Sequence, residues 1–436
     1  MQSNILSFKK RREHLIKKIG PSGIAVLFAP KKPWGNKKIS WPYRQDSDFY
    51  YLTGFKEPEA IAVIAPNYPG GDFILFNRVR DPLQEFWYGK REGQESACKN
   101  YGANQAFPIT MADEMLPQML LGREKIYFNI NQESIAKITS WFEQLIAKGT
   151  GIDESTQLIS IGAITHEMRV YKDAEEISIM KKSAAIIVQA QLQAMRTCRP
   201  NIKEYELEAE ILRECVRNGA RFQAFEPIVA SGANTCILHY ISNDEILENG
   251  SLVLLDTGAE YEFYASDITR TYPVNGQFNK EQRAVYQAVL DTQLTLLEHA
   301  QPGVKWIELQ ELSERIITEK LLELGLLNGN LEKLIIDKAC KTFYMHKFGH
   351  WIGLDVHDVG WHKDAKGWRV LEPNMLMTVE PGIYISKNIT GLDSKWYNIG
   401  VRIEDTILIT ENGCEILTKG VPKTIDEIEM FMAHKW

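Results

Sequence analysis

No run of about eighteen consecutive apolar residues, the length a membrane-spanning helix needs, occurs in the 436-residue chain. A membrane partner is therefore not expected. Basic charge is not in excess either: 50 Lys and Arg stand against 57 Asp and Glu, a net charge of −7. That balance suits a soluble protein and argues against nucleic acid, whose phosphates ask for a basic patch. The one local basic cluster, Lys31, Lys32, Lys37 and Lys38, reads as a solvated loop. Cysteine is scarce and dispersed, at 98, 198, 215, 236, 340 and 414, with no C-x-x-C pair. Such scatter suits reduced thiols in a cytoplasm. Met1 to Lys18 has basic and apolar residues at helical spacing without a continuous apolar core, so no secretory signal is read there. A cytoplasmic location is the expectation.

What is present fits two domains, with hydrophobic and charged fractions of 44% and 25% that are ordinary for globular proteins. A helix over Phe8 to Lys18 precedes apolar runs at Ile24–Phe28, Phe49–Leu52, Ala60–Ile64, Phe73–Phe76 and Lys125–Phe128, all read as strands. A helix follows near Gln132 to Ala147. This half, residues 1–172, reads as an α/β domain without a catalytic cluster. The boundary falls near Val170 to Asp173, where Asp173 and Glu176 form a capping-box signature. From 173 to 436 the plan runs helix to about Thr197, helix over Lys203 to Asn218, then strands near 225–230, 251–257 and 261–272. It repeats from Asn279 and Gln282: helix to about Ala300, a break at Pro302-Gly303, a helix ending at Gly325, and strands near 376–380, 383–386 and 400–410. Two similar halves predict a pseudo-twofold domain with a site at its seam.

Chemistry concentrates there. Asp256 lies in Leu254-Leu255-Asp256-Thr257-Gly258 and Asp267 in Ser266-Asp267-Ile268-Thr269-Arg270. His350, Glu380 and Glu404 each stand at the edge of an apolar run. Carboxylates inside apolar strands are costly unless a cation meets them. Four carboxylates and one imidazole make the ligand set of a dinuclear site for hard divalent cations. Asp256 and Asp267 suit neighbouring strands joined by a short loop. In Val401-Arg402-Ile403-Glu404 the period of two puts Arg402 and Glu404 on one face, where Arg402 can neutralise adjacent carboxylates. Pro381-Gly382 would fix the direction of Glu380.

Each position has a plainer reading. A lone aspartate in an apolar strand, or a lone histidine, is more often a satisfied structural group, and Arg402 beside Glu404 could be an ordinary cross-strand pair. The coincidence of five such positions, with further histidines close by, reverses those odds. His239 and His357 flank the ligands without completing the set, and two imidazoles there suit oxyanion stabilisation or proton transfer. His346 reads as a substrate contact with a structural role nearly as favoured. His14, His166, His299, His362 and His434 have no motif context.

Taken together, L-L-D-T-G-A, S-D-I-T-R-T, H-x-x-x-H-W-I-G-L-D-V-H-D-V-G, T-V-E-P-G-I-Y and G-V-R-I-E-D resemble the pita-bread metallopeptidases. Within these they look most like the aminopeptidase P (Xaa-Pro aminopeptidase) family. Y-R-Q-D-S-D-F-Y-Y-L-T-G-F at 43–55, F-N-R-V-R-D at 76–81 and Trp87 in F-W-Y-G-K-R extend the likeness through the N-terminal half. The resemblance implies a creatinase-like α/β domain followed by a pita-bread catalytic domain, in an α/β (α+β) fold. It implies two divalent metal ions, manganese, Mn(2+), before others. Asp267 and Glu404 would bridge both ions, His350 and Glu380 would bind one, and Asp256 the other. A hydroxide between the ions would attack the carbonyl before proline, with Glu380 handling its proton. His239 and His357 would stabilise substrate and intermediate, and Arg402 would support the site. Tyr384 and His346 match pocket residues. Trp87 matches an aromatic reaching a neighbouring subunit, which implies a homotetramer, or at least a dimer, acting on peptides that begin Xaa-Pro. Some relatives carry an acidic residue just before Y-R-Q; Lys37-Lys38-Ile39-Ser40 stand here, so that auxiliary role is not carried over. A prolidase restricted to Xaa-Pro dipeptides, and a non-catalytic pita-bread peptide-binding protein, are the alternatives. A methionine aminopeptidase leaves the N-terminal domain unexplained.

Overall fold

The computed structural model describes residues 2–32, 42–149 and 155–434. The chain divides into two compact units, Met1–Met168 and Arg169–Trp436. Lys37 to Ser40 lie outside the described residues, and Lys31, from the same basic cluster, is exposed and pairs with Glu133.

The first unit is built on one mixed sheet of β1 (Gly23–Phe28), β2 (Ile61–Ile64), β3 (Phe73–Asn77), β4 (Gln105–Pro108), β5 (Lys125–Phe128) and β6 (Gln157–Ser160), in the order β4-β3-β2-β1-β5-β6. Its central strand, β1, runs antiparallel to β2 and parallel to β5. The continuous apolar runs of β1, β2 and β3 are buried, as strands covered on both faces should be. Helix Gln132–Ala147 starts from a capping box between Asn131 and Ser134 and buries Ile138, Trp141 and Leu145. One expectation fails here. Phe49–Leu52 is not a strand but part of helix Ser47–Thr53, all seven residues of which are buried. A helix buried on every side shows no 3.6-residue periodicity, so a short apolar run cannot be told from a strand. The deciding signals flank it: Asp46 caps the first turn by accepting from the Phe49 N–H, and Gly54 closes the last at φ 67°.

The second unit contains β7 (Phe222–Gln223), β8 (Ile228–Ser231), β9 (Leu252–Thr257), β10 (Ala259–Tyr261), β11 (Tyr264–Ala265) and β12 (Ile268–Pro273) in its first half. Its second half contributes β13 (Lys363–Asp364), β14 (Gly367–Trp368), β15 (Leu376–Val379), β16 (Gly382–Ile385), β17 (Ile399–Arg402), β18 (Asp405–Thr410) and β19 (Gly413–Ile416). The strand expected over 261–272 is broken into β10, β11 and β12 by a small hairpin, where Glu262 and Phe263 take positive φ. Asp256 and Asp267 are therefore joined by an excursion rather than one short loop.

The two halves repeat in detail. Helices Ala174–Thr197 and Lys280–His299 each begin with a full capping box, from Asp173 with Glu176 and from Asn279 with Gln282. The next helices, Glu204–Arg217 and Trp306–Glu323, both have lysine at the N-cap and glutamate at N3. Lys203 bridges Ile246 as Lys305 bridges Val370. The Glu204 N–H donates to Glu245 O at 3.0 Å as the Trp306 N–H donates to Arg369 O at 2.8 Å.

The ribbon of the second half breaks at the point that matters. β15 pairs with β18 from Leu376↔Leu408 to Val379↔Asp405, and β16 pairs with β17 from Gly382↔Arg402 onward. Continuing either register across the gap sets Glu380 opposite Glu404. Arg402 thus ends one strand and Glu404 stands in the break, instead of both lying along one continuous strand. Pro381-Gly382 passes the chain from one ladder to the next without reversing it. Gly349 allows the approach of the histidine segment, since a Cβ there would strike the Thr378 carbonyl.

Behind the break, Asp405 is buried and accepts from Arg270, Gln293, Thr418 and Lys423, each at 2.8 or 2.9 Å. Replacing it would leave the buried Arg270 guanidinium without its counter-ion. Asp405→Ala is expected to cost about 3–5 kcal/mol, read as a lower urea midpoint at unchanged slope.

Candidate metal centre

The break gathers the predicted ligands. Asp267, His350 and Glu404 offer donor atoms that all lie within 4.8 Å of one another. His350 Nε2 is 3.5 Å from Asp267 Oδ2 and 3.5 Å from Glu380 Oε1. Asp256 joins through Arg402, whose Nη2 is 2.6 Å from Asp256 Oδ2. All five expected ligands are thus linked to one cluster, drawn from β9, the start of β12, the segment before Trp351 and both sides of the ladder break.

Local bonds fix their directions. His350 Nδ1 lies 2.9 Å from the Trp351 carbonyl, which can only accept, so Nδ1 carries a proton and Nε2 is the ring atom turned toward the carboxylates. The main chain of 348–350 is tied to β15 by Thr378 N to His350 O and by Glu380 N to Phe348 O. Thr378 Oγ1 accepts from the His350 N–H at 3.1 Å. Thr269, paired with Asp256 in the β9–β12 ladder, donates its hydroxyl to Glu404 Oε2 at 2.7 Å and accepts from Arg402 Nε at 3.1 Å. Arg402 Nη1 donates to the Tyr384 hydroxyl at 2.9 Å, and that hydroxyl lies 2.8 Å from His346 Nε2. His346 Nδ1 is 2.7 Å from the Lys347 carbonyl, so its Nε2 is the acceptor of the tyrosine proton. The rings of His350 and His357 sit 4.4 Å apart.

Electrostatics mark the site as incomplete by itself. Burial, then repulsion from Asp256 and Glu380, raises the Asp267 carboxyl well above its ordinary range. Burial, then Asp267, Glu380 and Asp256, does the same to Glu404. Burial also raises Glu380, against the pull of His350 and Arg402. Burial opposes the Arg402 charge, yet Tyr384, Asp256 and Glu380 outweigh it and hold the guanidinium protonated. His346 is pushed down to about 3 by burial and by Arg402. His357 is lowered by burial and by His350 and His239. Asp256 Oδ1 and Asp267 Oδ1 are buried without a hydrogen-bond partner among the described residues. Orphaned carboxylate oxygens, mutually repelling carboxyls and an imidazole nitrogen turned toward them together fit hard divalent cations.

Trp87 belongs to the other unit and is 69% exposed, between Phe86 and Tyr88 at 81% and 79%. Thr269 and Thr378 were not anticipated from sequence. Each stands two residues from a ligand, on the face that alternation assigns to that ligand, and that spacing could have singled them out.

Residues 178–411 match the metallopeptidase family M24, and residues 8–127 match the aminopeptidase P N-terminal domain. The chain belongs to metallopeptidase family M24. This M24 chain is 41% identical over 430 residues to the Xaa-Pro aminopeptidase of Escherichia coli strain K12, covering 98% of this chain and 97% of that one. It superposes on aminopeptidase PepP of Pseudomonas aeruginosa with TM-score 0.97 at 44% identity, covering 99% of this chain and 98% of that one. A structure of E. coli aminopeptidase P with the inhibitor Pro-Leu matches at TM-score 0.95 and 39% identity, over 99% and 98% of the two chains. The second unit of this M24 chain is accordingly a pita-bread domain, and the chain is a hydrolase.

If Thr269 orients Glu404, Thr269→Val should weaken divalent-metal binding by about 10- to 100-fold while the far-UV spectrum stays unchanged. Metal titration by calorimetry checks both the loss and its size.

Proposed function

We propose that this chain is an Xaa-Pro aminopeptidase, releasing the N-terminal residue from peptides with proline second. The observation that carries this reading is the convergence of Asp256, Asp267, His350, Glu380 and Glu404 around unsatisfied buried oxygens. The 41% identity along 98% of the chain to the E. coli Xaa-Pro aminopeptidase supports the substrate class.

In this reading Asp256, Asp267, His350, Glu380 and Glu404 would together hold two divalent ions. Manganese is the metal proposed, because the donors are oxygen-rich with a single imidazole. Bound there, the ions supply Lewis acidity and bring the pKa of water toward neutrality. The chain's own residues do the rest. Arg402 neutralises Asp256 and braces Glu404 through Thr269. The proline nitrogen leaves as an amine, so a proton must be delivered to it; Glu380, with Oε2 3.8 Å from His346 Nδ1, is the carrier proposed, passing on a proton of the attacking water. His239 and His357 hydrogen-bond the carbonyl oxygen as it gains charge. His346 stays neutral and sets the Tyr384 hydroxyl, and the two form one wall of the substrate pocket. A homotetramer is proposed on the exposed Phe86-Trp87-Tyr88 cluster, with Trp87 entering a neighbour's site. Six unpaired cysteines support a cytoplasmic location. Among the described residues no helix is long and apolar enough to cross a membrane.

With manganese restored, the protein should cleave Xaa-Pro-Yaa tripeptides; activity on Xaa-Pro dipeptides alone would make it a prolidase, and no turnover of either a binding module. Asp267→Ala and Glu404→Ala should each lower kcat/KM by about a thousandfold, since several kcal/mol of transition-state stabilisation go with the metals. Full activity in either variant would remove the dinuclear assignment.

A further inference from the structure

Glu204 is the first residue of helix Glu204–Arg217 and is fully buried, yet it does not cap its own helix, where Glu206 accepts from the Lys203 N–H instead. Both carboxylate oxygens turn to the segment that follows β8. Oε1 accepts from the Ser231 N–H and hydroxyl, each at 2.7 Å, and from Asn234 Nδ2 at 3.5 Å. Oε2 accepts from the Tyr240 hydroxyl at 2.8 Å and the Glu245 N–H at 3.0 Å. These donors are the two ends of the 231–245 loop and two points within it, Asn234 and Tyr240. Tyr240 is the residue after His239.

The same loop is fastened to the site from the other side. The Tyr240 ring packs in one apolar cluster with Ile228, Leu254 and Tyr384, and Leu238 joins that cluster. The residues on both sides of His239 therefore share an apolar cluster with the tyrosine that accepts from Arg402. Thr235 Oγ1 accepts from the Gly400 N–H at 3.0 Å, and Gly400 is the cross-strand partner of Tyr384. Burial and Glu204 raise the Tyr240 phenol above its ordinary range, so its hydroxyl is a dependable donor; a second acceptor, Asp244 Oδ1, lies farther off at 3.4 Å.

We propose that Glu204 and Tyr240 are positioning residues, a buried carboxylate clamp that sets His239 against the reacting carbonyl. The inference rests on the Xaa-Pro aminopeptidase reading. A misplacement of about 1 Å at such a group costs on the order of a hundredfold in rate, which explains why a loop with exposed Ile237 and Ile241 is gripped at both ends.

The test is a double-mutant cycle on an Xaa-Pro-Yaa peptide in manganese-loaded full-length protein. Tyr240→Phe, which removes one oxygen, should lower kcat by about 10- to 100-fold at unchanged metal stoichiometry. In the His239→Ala background the same change should cost nothing further, because the histidine it positions is gone; independent, additive losses would overturn the proposal. Hydrogen exchange gives a readout that needs no turnover. Glu204→Gln should speed exchange through 232–245 and leave β9 and β12 as protected as before. Unchanged exchange in that loop would also overturn the clamp. Wild-type protein that cleaves no Xaa-Pro peptide would sink the functional reading instead, and the exchange result would then decide the clamp alone.

Discussion

Two glutamates facing one another across a ladder break, with an aspartate and a histidine between them, are a structural liability before they are an active site. Like charges directly opposite in a sheet are destabilising, and at about 4 Å a pair repels by about 4 kcal/mol at an effective dielectric of 20. Of the guanidiniums beside them, Arg402 is committed to Asp256 and Tyr384, and Arg270 to Asp405 and the Glu404 carbonyl. Burial, and after it repulsion from neighbouring carboxylates, raises the Asp267 and Glu404 carboxyls, and burial raises that of Glu380. A group whose pKa is raised on folding withdraws stability as pH climbs past its unfolded value. Near neutrality these carboxylates by themselves are therefore strained in charge, a strain that divalent cations would relieve. Ladder break, threonine bracing and Arg402 follow from holding these carboxylates together until they do.

Much of this was legible in the residues, and what was not failed for definable reasons. Capping boxes at Asp173 and Asn279 are local, so their sequence signatures survive folding. The ligands stood out because charge in apolar strands has few explanations. Helix Ser47–Thr53 was hidden by burial on every side, which erases the contrast that periodicity needs. The ladder break was hidden because period-two reading assumes an uninterrupted strand, and nothing in Val401–Asp405 announces the change of partner. Glu204 was invisible for a different reason: a glutamate at the start of a helix looks like dipole complementation, and only coordinates reveal that its acceptors serve a loop reached 27 to 41 residues later.

The threonines show how a strand can prepare a metal site cheaply. Asp267 with Thr269, and Thr378 with Glu380, are pairs in which alternation supplies the brace on the same face as the ligand. Thr269 restrains Glu404 rather than its own neighbour, and Thr378 receives the His350 N–H. Each threonine thereby ties a proposed ligand from one segment to a strand from another. Such cross-bracing fixes ligand direction without spending a charge, which matters where every additional charge would disturb the balance of the cluster.

The repeat explains why the two histidine-bearing segments are held by unlike means. Glu204 and Trp306 occupy the same place in the two halves: first helical residue, following a lysine N-cap, with the N–H donated to the neighbouring extended segment. From that position Glu204 reaches the loop of His239 by hydrogen bonds. Trp306 instead packs on Phe348 and Trp351 at ring distances of 4.9 and 4.6 Å, the residues that bracket the His350 segment. A ligand must be held stiffly among atoms that exclude water, and aromatic packing does that. A group that meets a transient charge needs a polar setting with a fixed direction, and hydrogen bonds to a carboxylate do that. One scaffold position, duplicated and filled with two chemistries, thus sets both the imidazole proposed to bind metal and the one proposed to face the substrate.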